Sequence, residues 1–144
     1  MLTELVKNIK SLPNEMVVIF DKVIQNNFEE LEDKNAEQLS EGKNAEGNDL
    51  QRYRSPAYAR FKKQIGSKSS PVTDLKVTGA FHRDIKIKKV GKGEFEYYNS
   101  NEKAPELLQK YKSVLGLNDE SRNEFTKDHL REEMAELIKT HLFK

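Results

Sequence analysis

The chain predicts an α+β domain: a small antiparallel sheet with helices packed on it, and helices at both the N- and C-terminal ends. Three observations predict it. Apolar residues recur at helical spacing near both ends, from Leu2 to Leu31 and from Phe125 to Leu142. Between them Ile85, Ile87, Phe95 and Tyr97 alternate with charged residues, the period of half-buried strands. Gly91-Lys92-Gly93 separates these two runs and permits the positive φ that a tight hairpin needs. A chain of 144 residues accommodates one domain, 1–144, with N-terminal helices over 1–33 and a mixed region over 34–144.

Each element has a local reason. Leu2, Leu5, Val6, Ile9 and Leu12 form one helical stripe. Pro13 interrupts it, and Met16, Val17, Phe20, Val23, Ile24, Asn27, Phe28 and Leu31 form the next. Pro13 is tolerated at a helix start, so these are two helices or one kinked unit. Residues 34–56 change character: Gln38 to Gly47 is rich in turn formers, which predicts a short extended piece, a Gly-bounded turn, and another extended piece through Leu50 and Tyr53. Ser55-Pro56 starts a helix, with Ser55 as N-cap and Pro56 in the first position. Tyr58 and Phe61, three apart on that helix, are expected to face the core. Gly66 to Pro71 is linker-like and expected on the surface. A short helix opens near Thr78, with Phe81 and Ile85 on its buried side. After the hairpin, a helix ends at Tyr111 with Leu107 and Leu108 inward. Asn118 or Asp119 caps the last helix, whose first turn is acidic, as the helix dipole favours. Its stripe is Phe125, Leu130, Met134, Leu137, Ile138 and Leu142.

Composition excludes several classes. The chain has no Cys, which removes disulfide scaffolds, thiolate zinc sites and thiol nucleophiles. No apolar run reaches the roughly 18 residues of a membrane span, and the first ten residues lack a signal-peptide core. The net charge of +1 conceals a partition. Residues 1–50 hold 5 basic and 11 acidic groups, residues 51–93 hold 12 and 2, and residues 94–144 hold 8 and 11. Either the basic middle is neutralised by acidic helices of its own subunit, or it meets an acidic surface elsewhere.

No constellation points to catalysis, a cofactor or a metal. His82, His129 and His141 lack a second ligand at metal-binding spacing. His82-Arg83-Asp84 spells part of a kinase catalytic loop, but no Gly-rich phosphate loop or Asp-Phe-Gly accompanies it. The carboxylates are scattered over helix faces. The basic run Arg52, Arg54, Arg60, Lys62, Lys63 and Lys68, interleaved with Tyr53, Tyr58 and Phe61, has the residue types that bind phosphates and stack on bases. One reading is therefore a cytoplasmic nucleic-acid-binding accessory protein using residues 52–68.

A second reading comes from the order of four motifs. Asn44-Ala45-Glu46-Gly47 precedes Tyr53 and Lys62, and Leu75-Lys76-Val77-Thr78-Gly79-Ala80-Phe81 leads into the hairpin. Leu115-Gly116-Leu117-Asn118 precedes the terminal helix. In this order residues 37–144 resemble the tail-completion, or virion morphogenesis, proteins of the head-tail connector of tailed bacteriophages. Gln38-Leu39, Gly42-Lys43 and Tyr58-Ala59 are also similar to small proteins of phages of gut Bacteroidetes. The pattern departs after the hairpin, where Lys103-Ala104-Pro105 and Gln109-Lys110-Tyr111 replace a Tyr-Ala pair and a Glu-x-Gly-Thr turn. The resemblance implies a structural virion protein assembled in the host cytoplasm, with a ring of copies built by head-to-tail contacts. Its implied partners are other copies, neighbouring neck, portal or tail proteins, and DNA passing through the ring. Thr78, Gly79 and Phe81 are then a structural motif, and Arg52, Arg54, Arg60, Lys62 and Lys63 the candidate interface.

Overall fold

In a computed structural model the described residues are 2–76 and 79–143, with side chains from residue 13 onward. Helix α1, Leu2–Asn26, is one continuous helix with Pro13 inside it. The break expected near Pro13 falls at Asn27 instead, whose amide Nδ2 donates to Val23 O at 2.7 Å. The side chains of the first stripe, Leu2 to Leu12, lie outside the described residues. Helix α2, Phe28–Ser40, follows at once.

Residues 34–40 are therefore helical, not extended, and tertiary burial is the reason. Asn35, Gln38 and Leu39 are all inside the protein, with Asn35 and Leu39 fully so. Gly42 ends the helix at φ +74°, where a Cβ would lie 2.8 Å from Val72 Cγ1. The turn that follows matches expectation. Asn44 Oδ1 accepts from the N–H groups of Glu46 and Asn48 at 2.9 and 3.0 Å, and Lys43 bridges to Asp49.

Helix α3, Pro56–Gln64, carries the expected cap, with Tyr58 N donating to Ser55 Oγ at 3.2 Å. The serine-rich segment after it is tied to that helix. Ser67 N donates to Lys62 O at 2.9 Å and Ser70 Oγ to Ala59 O at 2.6 Å. The one-turn helix α4, Ala80–Arg83, then delivers the chain to the hairpin. Strands β1, Ile85–Gly91, and β2, Glu94–Asn99, pair antiparallel with a bulge between Lys89 and Gly91. Ile87 stands opposite Tyr97, so the apolar residues share one face as the alternation requires. The other face is polar, with the Lys88 ammonium 5.1 Å from the centre of the Tyr98 ring.

Helix α5, Ala104–Lys110, crosses over, and α6, Asp119–Phe125, begins at its Asn118 cap. A π-helical turn, Thr126–Leu130, joins α6 to α7, Arg131–Leu142, without breaking the rod. Helix α7 packs on α1, and α2 packs on β1.

The core has two centres bridged by α2 and Tyr97. One gathers Leu39, Leu50, Leu75, Phe81, Ile85, Ala104 and Val114. The other gathers Ile24, Leu31, Ile87, Leu117 and Phe125, with Phe20, Phe28 and Phe95 against it. The Tyr97 hydroxyl donates to Leu31 O at 2.9 Å, and its burial raises its pKa. Asp21 of α1 pins the hairpin tip: it accepts from Gly93 N at 3.0 Å and pairs with Lys89 at 2.9 Å.

Candidate functional site

Helix α3 and the segments it touches hold most of the residues singled out by the sequence. The basic run is not one surface. Arg52, Arg54, Arg60 and Lys63 are exposed, and none pairs with a carboxylate among the described residues. Lys62 is different. It is only 4% exposed, so its charge is not offered to a partner's surface, contrary to its place in the candidate interface. The reason is Asp74. Lys62 Nζ lies 3.1 Å from Asp74 Oδ1 and also donates to Lys76 O. Within this small centre the neutralisation is internal to the subunit.

Asp74 is a hub. Its Oδ1 accepts from Lys76 N at 2.9 Å and from the Tyr53 hydroxyl at 3.3 Å. Burial alone would raise its pKa, but the Lys76 N–H and the Lys62 ammonium outweigh it and hold the carboxyl below its ordinary value. Burial likewise disfavours the Lys62 ammonium, and Asp74 outweighs that and raises the lysine pKa. Both groups stay ionised. Burial raises the Tyr53 phenol. His82 Nε2 lies 2.6 Å from Asp74 O, and a carbonyl can only accept, so Nε2 carries the proton. Burial lowers the His82 pKa in spite of that contact.

The structural motif sits directly after this centre. Gly79 opens α4 at φ +84°, a conformation that side-chain-bearing residues rarely adopt. A Cβ there would stand 3.0 Å from Arg83 Nη1. Phe81 is buried in the first core centre. Thr78 lies outside the described residues. Leu75 also has a positive φ, 57°, and is held there by a hydrogen bond from its N–H to Thr73 Oγ1 at 3.3 Å.

Tyr58 and Phe61 do not face the core. They are 40% and 51% exposed, and Ile65 one turn on is 60% exposed. Helical spacing puts the three on one side of α3, with Arg60 and Lys63 on the other. This apolar ridge is large for an unpartnered nine-residue helix. The hydrogen-bonded contact of α3 with the body runs through Lys62 and Ala59, and Tyr58 is covered only in part, by the Tyr53 ring at 5.0 Å.

A second basic-aromatic feature adjoins it. A cleft of about 660 Å³ opens between α3, residues 73–76, residues 80–81 and α5. Leu75, Phe81 and Leu107 line it together with Tyr53, Tyr58 and Tyr111. The sequence singled out the tyrosines of the basic run but gave no sign that Leu107 and Tyr111 join them across the fold.

A site of another kind was also missed. The Leu-Gly-Leu-Asn step is gripped by two amides of α2. Asn35 donates to Val114 O at 3.0 Å and accepts from Gly116 N at 2.9 Å. Gln38 donates to Gly116 O at 3.0 Å and accepts from Asn118 N at 2.8 Å. Asn118 Oδ1 in turn caps α6 through Ser121 N at 2.9 Å. The clamp places the terminal helix.

The histidines do not converge. His82 meets Asp74, His129 Nε2 lies 2.7 Å from Glu30 Oε1, and His141 is buried in α7. No group of three or more His, Asp and Glu is arranged to hold a metal among the described residues. No helix among them is long and apolar enough to cross a membrane. No protein-family model, curated protein or solved structure matches the chain.

Proposed function

We propose that this chain is a structural protein of the head-tail junction of a tailed bacteriophage, without catalysis, acting in a ring of copies joined head to tail. The observation that carries the reading is the exposed surface of α3. An apolar ridge of Tyr58, Phe61 and Ile65 stands exposed on one side, and the cations Arg60 and Lys63, unpaired among the described residues, stand exposed on the other. A complementary surface exists on α2. Glu29, Asp33 and Glu37 recur every fourth residue along it and Glu41 follows at its C-terminal cap; all are exposed, and none forms an ion pair among the described residues. Two different complementary patches on one subunit make a heterologous contact, the kind that closes into rings. The motif order described above supplies the phage context and the virion as the place of action.

The test uses Phe61→Ser with Arg60→Glu. The variant is expected to fold as the native chain does, by circular dichroism and thermal melting, and to be missing from ring-shaped assemblies in electron micrographs. Normal rings, or normal incorporation into particles at physiological salt, would reject the α3 interface. A nucleic-acid reading draws on the same exposed cations. It predicts DNA affinity that falls steeply with salt and that the same variant abolishes.

A further inference from the structure

We propose that the cleft between α3 and α5 docks an acidic peptide segment with an apolar anchor residue, contributed by a different protein. This does not rest on the ring contact above. The floor consists of Leu75, Phe81 and Leu107, and the walls of Tyr53, Tyr58 and Tyr111. About 660 Å³ is room for one large side chain and its flanking backbone. The rim is cationic. Lys76, Lys103 and Lys110 line the cleft, all exposed, and no described carboxylate pairs with them. Glu102 is the single acid among the lining residues. At the base, two of the three Lys62 N–H donors go to Asp74 and Lys76 O.

Charge and shape together favour a peptide over a nucleic acid. Bases need open aromatic faces. Tyr53 and Tyr58 meet edge to face, at 5.0 Å and 83°, so a face of one ring is covered by the edge of the other. The Lys110 ammonium lies over the Tyr111 ring at 5.2 Å. What remains is an apolar slot with a basic border, which suits an aliphatic or aromatic side chain between acidic neighbours.

The probe is a short fluorescein-labelled peptide with one central Phe flanked by Glu residues. Fluorescence anisotropy should show saturable binding. Replacing Phe by Ser, or the Glu residues by Lys, should weaken it at least about tenfold. Lys103→Glu with Lys110→Glu should do the same, both being surface positions outside the core. Amide shifts on titration should centre on Tyr53, Leu75, Leu107 and Tyr111. Binding indifferent to anchor and charge, or shifts elsewhere, would overturn the proposal. So would tighter binding of a thymidine oligonucleotide in the cleft. Cleft shifts that appear on raising the protein concentration alone would assign the cleft to a second copy, and would equally overturn it.

Discussion

Two of the polar centres buried among the described residues hold their segments by opposite means. The Asn35-Gln38 clamp is neutral: two amides on α2 meet four backbone groups of residues 114–118, each donor facing an acceptor. The Lys62-Asp74 centre is ionic: one ammonium and one carboxylate hold the strand of chain that leads to Gly79. Amides lose little by leaving water if every bond is replaced. Charges lose several kcal/mol each, and their attraction only offsets that loss if the geometry is good. The neutral clamp therefore fixes a position under all conditions, whereas the ionic centre fixes one only while both partners are charged. The first sits deep behind the terminal helix. The second forms the base of the cleft.

The comparison is most sharply broken by Lys62→Met. It strands the Asp74 carboxylate in the interior, at an expected cost of about 3–5 kcal/mol in denaturant unfolding. A cost below 1 kcal/mol would mean that Asp74 is well hydrated. Asn35→Ala should cost less. It leaves Val114 O and Gly116 N without partners, at about 1–3 kcal/mol for each orphaned group that water does not reach. Its effect should also appear as lost amide protection at Gly116, with the cleft unchanged.

The smallest effect is the most diagnostic. The folded Asp74 carboxyl titrates below its ordinary 3.8, so its contribution is present above that pH and is lost as pH falls through the folded value. Lys62 has a folded pKa above 10.5, so its contribution is present below 10.5 and is lost as pH rises through the folded value. Denaturant midpoints of Asp74→Asn should therefore show a shallower acid limb than the native chain. Asn35→Ala should run parallel to the native curve at both extremes. A variant of the clamp that changed the slope would show that the two centres are coupled.

Patterns that depend on neighbours in sequence were legible before folding. Ser55 and Asn118 capped helices as expected, and the alternation of Ile85, Ile87, Phe95 and Tyr97 produced the hairpin face. The chemistry of Gly79 was visible for the same reason. What was hidden depended on distant partners. The stretch from residue 34 reads as extended because Ser40, Gly42, Asn44 and Gly47 after it favour turns, yet Asn35 and Gln38 are helical and their amides meet residues 114–118. Lys62 was read with its basic neighbours, and only Asp74, twelve residues on, turns it inward. Tyr58 and Phe61 had the spacing of a core pair, but the buried side of α3 belongs to Lys62.

The π-helical turn at Thr126–Leu130 sets the phase of the terminal rod. Phe125 and His141 are both buried, sixteen positions apart. On an uninterrupted α-helix they would stand about 160° from each other, on nearly opposite sides. One surplus residue in a wide turn takes up about 100° and brings them to within about 60°. The helix can thus bury Phe125 in the second core centre and still lay its far end along α1. Excision of a single residue from that turn would leave a regular α-helix with fifteen steps between Phe125 and the His141 side chain, again about 60° apart, so the far half of the rod should keep its face toward α1. The turn thus takes up one residue of chain length without changing which face of the rod meets α1.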